Sequence, residues 1–428
     1  MLGLVLTAGG ARGAYQAGVL KRIGELRGVR DGPLPFPIVT GASAGAINGA
    51  TIAAGSDDFQ AATRELARLW AGLEVAQVFR ADVLSLAVGA LRLFRDLAIG
   101  SIARTTLTRS FLDTAPLRPL LARILPVGGI TAGIRAGRLY AVAILATSYH
   151  SGRSFIFVQG RRGHPVWMKS RRVVLPVELT VDHICASAAI PLVFPPVAVR
   201  CGDSLLHFGD GGLRLTTPLS PAIRLGATQV LAIGIRSQRA ADALGQEEFG
   251  SDPSECESRL LSPPLAQICG VFLNAIFLDH LDSDLDHLRR MNELILAHSR
   301  DGSLSGSGAA GDPPRTEPMR IITPLVFGPS EDLALVAQRF AHRMPRAVRY
   351  VMEGLGTPDT QSADLMSYLL FDSHYTRTLL EIGYRDASER IDEIEAFLRG
   401  RATAESEHPP RSRVDAQPGV PAEERATA

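Results

Sequence analysis

The sequence predicts an α/β fold organised around a mainly parallel sheet, and three observations carry that prediction. Short apolar runs alternate with helical patterns over the first 235 residues, as parallel strands joined by crossover helices do. Two of these runs, LYAVAILAT and QVLAIGI, are apolar almost without interruption, which suits strands covered on both faces. Two glycine-bearing turns each follow a strand-like run and open a helical pattern.

Taken in order, residues 2–7, 36–40, 138–146 and 228–235 are the expected strands, and SFIFVQ at 154–159 adds another. From Pro263 to His298 the residues Ile276, Phe277, His280, Leu281, Asp284, Leu285, Leu288, Met291 and Ile295 fall at steps of three and four, which predicts one long amphipathic helix. Residues 301–316 are glycine, serine and proline with almost nothing to bury, so a flexible linker or exposed loop is expected. A strand, MRIITPLVF, follows, then two or three helices over 331–398 and a polar, proline-containing tail at 401–428 that predicts disorder. The chain thus divides into a main domain at 1–300, the segment 301–316, a C-terminal strand and helices at 317–400 that pack on the domain, and the tail 401–428.

Composition narrows the function. With 428 residues and 46% apolar content the chain can bury a large core. Its 45 basic and 44 acidic residues leave a net charge of +1, which gives no field to attract nucleic acid. Cys185, Cys201, Cys256 and Cys269 lie far apart, so neither a disulfide framework nor a structural metal site is expected, and a reducing, cytoplasmic setting fits. MLGLVLTAGG lacks a basic flank and reads as a buried first strand rather than a signal peptide. No run of the length needed to span a bilayer is present.

The chemistry concentrates in three places. The turn Ala8-Gly9-Gly10-Ala11-Arg12-Gly13 presents backbone N–H groups at a helix start and could hold either nucleotide phosphates or a reaction's oxyanion. A dinucleotide site would need an acidic residue at the end of the second strand. That strand ends instead in Gly41-Ala42-Ser43-Ala44-Gly45, the strand-to-helix setting of a nucleophile elbow, with small residues at Gly41 and Gly45 to let strand and helix approach. The oxyanion reading of the first turn is therefore the better one. Asp210-Gly211-Gly212 supplies a carboxylate that could serve as base or could simply form a turn with glycines at positive φ. His150, His183 and His207 carry no local signature of a catalytic histidine. His280, Asp284 and His287 could suggest a metal site, but a solvated, charge-paired helix face explains them better. Residues 83–107 alternate leucine, valine and phenylalanine with Arg92, Arg95 and Arg104, which would suit a bilayer-surface segment, a lid or an ordinary core-packing helix.

In this order the glycine turn, the early G-x-S-x-G elbow and the D-G-G resemble the patatin-like phospholipases. The stretch ICASAAIPLVFPPV resembles that family's A-S-x-A-x-P-x-x-F-P block, and SYLLFDSHYTRTLLEIGYRDA is similar to the end of its bacterial members. The resemblance covers roughly residues 1–400. It implies a three-layer sandwich with extra C-terminal helices, and a Ser43–Asp210 dyad without histidine. It further implies an oxyanion hole formed by Gly9 and Gly10 with Ala11 or Arg12, motif support from Gly13, Gly41, Gly45, Gly211 and Gly212, and neither metal nor cofactor. Ala8 departs from the family's commoner third glycine, which leaves the donor pair open. The implied activity is hydrolysis of fatty-acyl esters of phospholipids or other glycerolipids, with peripheral membrane contact and an open oligomeric state. An acyltransferase or thioesterase on the same dyad, and a non-catalytic nucleotide-binding module, are the alternatives.

Overall fold

The computed structural model describes residues 1–80, 110, 112–169, 171–237, 280–300, 320–346, 348–349 and 363–400. Residues 83–107, 301–316 and 401–428, and the first part of the helix expected from Pro263, lie outside the described residues.

In chain order, β1 (Leu2–Leu6) passes through a 3-10 turn at Gly10–Arg12 into α1 (Gly13–Gly24), and β2 (Ile38–Ala42) enters α2 (Ala44–Ala54) through Ser43 alone. Next come α3 (Phe59–Ala71), α4 (Val75–Val78), α5 (Leu117–Ile124) and α6 (Gly128–Arg135). Then follow β3 (Ala141–Ser148), β4 (Ser154–Gly160), β5 (Met168–Lys169), β6 (Arg172–Pro176), α7 (Val181–Ser187) and the hairpin β7 (Val197–Cys201) and β8 (Ser204–Asp210). A second 3-10 turn at Gly211–Arg214 leads to α8 (Ser220–Arg224) and β9 (Gln229–Ile233). The remaining elements are α9 (His280–Arg300), β10 (Thr323–Phe327), α10 (Leu333–Arg339), α11 (Ala363–Leu369), α12 (Ser373–Glu389) and α13 (Ile391–Leu398).

The strands form one sheet in the order β10-β9-β1-β2-β3-β4-β6-β5, with β8 joined to β3 and β7 to β8. From β10 to β3 every pairing is parallel. Helices lie on both faces: Gly3 of β1 faces Ala222 of α8, whereas Leu6, on the opposite pleat, faces Gly49 of α2. This sandwiching explains why β2 and β3 are buried along their whole length.

Most expected strands are present, and MRIITPLVF contributes β10, which adds to β9 in parallel. The strands β6, β7 and β8 go beyond the sequence reading, and residues 331–398 hold four α-helices among the described residues rather than two or three. Asp284 also departs from a solvated face: it is buried, and its Oδ2 accepts the Leu219 N–H at 2.9 Å, capping α8. Asp286, on the exposed side of the same helix, pairs with Arg289.

Among the described residues one helical stretch, Leu117–Arg135, is apolar and long enough to be weighed as a membrane span. It is broken between Ile124 and Gly128 into α5 and α6, of 8 residues each. At ~12 Å apiece, neither piece reaches across a hydrocarbon layer of ~30 Å.

Candidate active site

Local geometry first sets Ser43. Its φ of 55° and ψ of −125° lie in a region that L-residues rarely occupy, so its side chain is presented outward from a sharp strand-to-helix turn. Several contacts hold that conformation. The Ser43 N–H donates to Ser187 Oγ at 2.9 Å, and the Ser43 carbonyl accepts from the N–H groups of Ala46 at 2.9 Å and Ile47 at 3.3 Å. The glycines of the elbow are required by close approach. A Cβ on Gly41 would collide with the Gly45 carbonyl, and one on Gly45 with the carbonyls of Leu6 and Thr7.

Strand register then brings the distant carboxylate to the hydroxyl. On one edge of β3, Ala42 pairs with Leu145, and the next position, Ala146, pairs with Asp210 of β8. The last residue of β8 thus abuts the end of β2, next to Ser43. Asp210 is held by its main chain, since its N–H donates to the Ala189 carbonyl at 2.8 Å and its carbonyl accepts the Thr147 hydroxyl at 2.9 Å.

The turn reading of D-G-G is realised in a different form. Asp210 Oδ1 accepts the Gly212 N–H at 2.7 Å and so caps the following 3-10 turn. Neither Gly211 nor Gly212 adopts the positive φ that a glycine turn suggested. Gly211 instead makes room for the Leu145 carbonyl. The other carboxylate oxygen, Oδ2, is buried without a hydrogen bond of good geometry. Burial pushes the Asp210 pKa up to about 7, and the Ser43 hydroxyl and the Gly212 amide act against that rise. The hydroxyl therefore lies within electrostatic reach of the Asp210 carboxyl. Among the described residues no histidine hydrogen-bonds to either group; His183 Nδ1 contacts Thr180 and its ring packs edge-on to Phe157.

The glycine turn faces the same point. Gly10 has φ +53°, and a Cβ there would strike the Tyr368 carbonyl, so glycine is required twice over. Gly13 starts α1 against Ala44 and Trp70. The Arg12 N–H donates to the Gly9 carbonyl at 3.1 Å. The buried guanidinium donates from Nε to Ser367 Oγ and from Nη2 to Asp364 Oδ1, both at 2.7 Å, and stacks 4.3 Å from the Tyr368 ring centre. Gly9, Gly10 and Ala11 remain as possible donors.

Three further features were not visible from motifs. Ser187 fixes the elbow amide, although only its place in the A-S-x-A block marked it. Gln16 donates to the carbonyls of Thr7 and Ile233 and accepts from Asn48, which also donates to the Gly13 carbonyl and accepts the Trp70 Nε1–H at 2.8 Å. This buried network locks α1, α2 and α3 to the ends of β1 and β9. Finally, an apolar pocket opens from Ser43 and Gly10 between Ile47, Leu73, Val78, Leu121, Phe194 and Phe371. Such a lining suits a hydrocarbon chain.

The model of a family described as patatin-like phospholipase matches residues 4–223. No curated protein matches the chain. Among solved structures, VipD from Legionella pneumophila is similar at 14% identity and a TM-score of 0.28, over 57% of this chain and 52% of that one. The type III effector ExoU shows 18% identity and a TM-score of 0.24, over 57% of this chain and 44% of its own. The ExoU–SpcU complex of Pseudomonas aeruginosa shows 14% identity and a TM-score of 0.23, over 86% and 74%. The chain thus spans about half the length of the first two.

Proposed function

We propose, from the premise that this chain belongs to the patatin-like phospholipase family, that it is a serine acyl hydrolase of phospholipid or other glycerolipid esters, working through Ser43 and Asp210. Family membership supports a lipid acyl hydrolase. The observation that carries the finer reading is the strained Ser43, whose hydroxyl acts on the fully buried carboxyl of Asp210.

In this mechanism the ionised Asp210 takes the proton of the Ser43 hydroxyl as Oγ attacks the ester carbonyl carbon. Negative charge moves to the carbonyl oxygen, where amides of Gly9, Gly10 and Ala11 are the available donors. The tetrahedral species then expels the alcohol oxygen, which takes the proton back from Asp210. An acyl chain remains esterified to Ser43. Water attacks that ester with Asp210 again as base, and collapse releases the fatty acid and restores the hydroxyl. The apolar pocket holds the acyl chain and excludes water around the carboxylate, which makes a weak base effective.

The test uses a p-nitrophenyl acyl ester and a fluorophosphonate probe. Ser43→Ala abolishes both hydrolysis and labelling, and Asp210→Asn abolishes hydrolysis while the circular dichroism spectrum stays native. Full activity in Asp210→Asn overturns the dyad. Added alcohol acceptors that divert most of the acyl group to new esters would replace hydrolase by acyltransferase.

A further inference from the structure

Next to the apolar pocket lies a solvent-open groove of different character. The first is bounded at Ser43 and Gly10 and walled by apolar side chains. The second is lined by Glu65, Arg68, Gln77, Arg123 and Thr51. Three residues, Leu69, Leu120 and Ile124, line both. Side chains that face both the pocket and the neighbouring groove are the partition between them.

We propose that Leu69, Leu120 and Ile124 form a septum that closes the far end of the acyl pocket and sets the longest acyl chain the protein accepts. The inference rests on the reading of Ser43 as nucleophile. Helix periodicity builds the partition from two sides. On α3, Glu65, Arg68 and Leu69 share a face at steps of three and four; on α5, Leu120, Arg123 and Ile124 do the same. Each helix therefore offers an apolar side chain to the partition and polar ones to the groove.

The axis of α2 gives the depth. Ser43, Ala44 and Ile47 line the pocket, and Thr51, one turn beyond Ile47, lines the groove. Eight residues of helix separate Ser43 from Thr51, a rise of ~12 Å. A chain of medium length fills that depth and ends against the septum. A longer chain has to push the septum aside and place its methyl end among the side chains of Glu65, Arg68 and Arg123, where burial gains it nothing. The α5 wall is seated on its own small apolar cluster of Ala50, Leu121, Leu125, Ile184 and Cys185, apart from the main core. Arg118 of α5 is further tied to Asp182 of α7 at 2.7 Å.

The experiment compares kcat/KM for p-nitrophenyl butyrate, octanoate and dodecanoate, all kept monomeric. In Ile124→Ala combined with Leu120→Ala, the dodecanoate-to-octanoate ratio rises by about tenfold or more as pocket and groove merge. Ile124→Phe thickens the septum and lowers the octanoate-to-butyrate ratio by about tenfold. Unchanged ratios in both variants overturn the septum; should the double variant fail to fold, the Phe variant decides alone. The two levels separate cleanly. Butyrate hydrolysis that survives Ser43→Ala sinks the nucleophile assignment, whereas unmoved ratios with Ser43-dependent hydrolysis sink only the septum.

Discussion

Asp210 uses its two carboxylate oxygens differently. Oδ1 caps the start of a 3-10 turn, and Oδ2 is left buried. Burial raises its pKa to about 7, so the proposed base titrates within the physiological range. The expected outcome is a kcat/KM that falls about tenfold per pH unit below about 7 and is level above it, since only the ionised form can take the Ser43 proton. A pH–rate profile that is flat across this range contradicts the assignment of the base. Ser187 is the second informative residue, because it accepts the amide of a serine held at a costly φ. Ser187→Ala leaves that buried N–H unpaired, and kcat should drop about tenfold with KM little changed. Steady-state kinetics with a short-chain ester, together with the fluorophosphonate labelling rate, reads both quantities.

At the scale of elements, the elbow is a contact between backbones. α2 comes so close to β1 that a methyl group on Gly45 would meet the Leu6 carbonyl. Gly45→Ala should therefore cost about 3 kcal/mol or more, seen as a lower denaturation midpoint. α11 matters for a different reason. Arg12, in the glycine turn, is buried and reaches Asp364 and Ser367 of α11, while Tyr368 packs on the turn itself. Arg12→Ala removes the charge-assisted bonds to partly exposed Asp364 and buried Ser367 and should lose about 2 kcal/mol in chemical denaturation. Arg12→Lys should recover only part of it, since an ammonium cannot serve both partners in the same fork. Much of this scale was legible in advance. Residues 2–7 and 228–235 enclose β1 and β9, and the helix expected to open at the Gly41–Gly45 turn is α2. The hairpin of β7 and β8 was not, because its strands are only partly buried and alternate too weakly to stand out from loop.

For the whole molecule, the raised pKa of Asp210 is a cost of the site that titration can expose. The folded value of about 7 stands above the ordinary carboxyl value of 3.8, so between these limits the native state holds more protons than the unfolded chain. Stability from this group is full below about pH 4, declines as pH rises, and is lost above about 7. Asp210→Asn removes the ionisation and should raise stability at pH 8 by at most about 4 kcal/mol, with little gain at pH 4. Thermal unfolding of both proteins at the two pH values checks the sign; a variant that is less stable than its parent at pH 8 would mean the carboxylate is stabilised rather than strained by its surroundings.

The sequence by itself determined the parallel α/β plan, the elbow at Ser43 and the set of chemical groups. These are properties of short stretches, where apolar period, small residues and turn chemistry act over a few neighbours. Only the tertiary structure decided which groups meet. The register of β3, not any local pattern, sets Asp210 one step beyond Ala42. Packing of α11 made Arg12 an anchor for the glycine turn, through Asp364 and Ser367. The walls of the pocket come from helices far apart in the chain, and their contacts exist only once long-range burial has drawn them together.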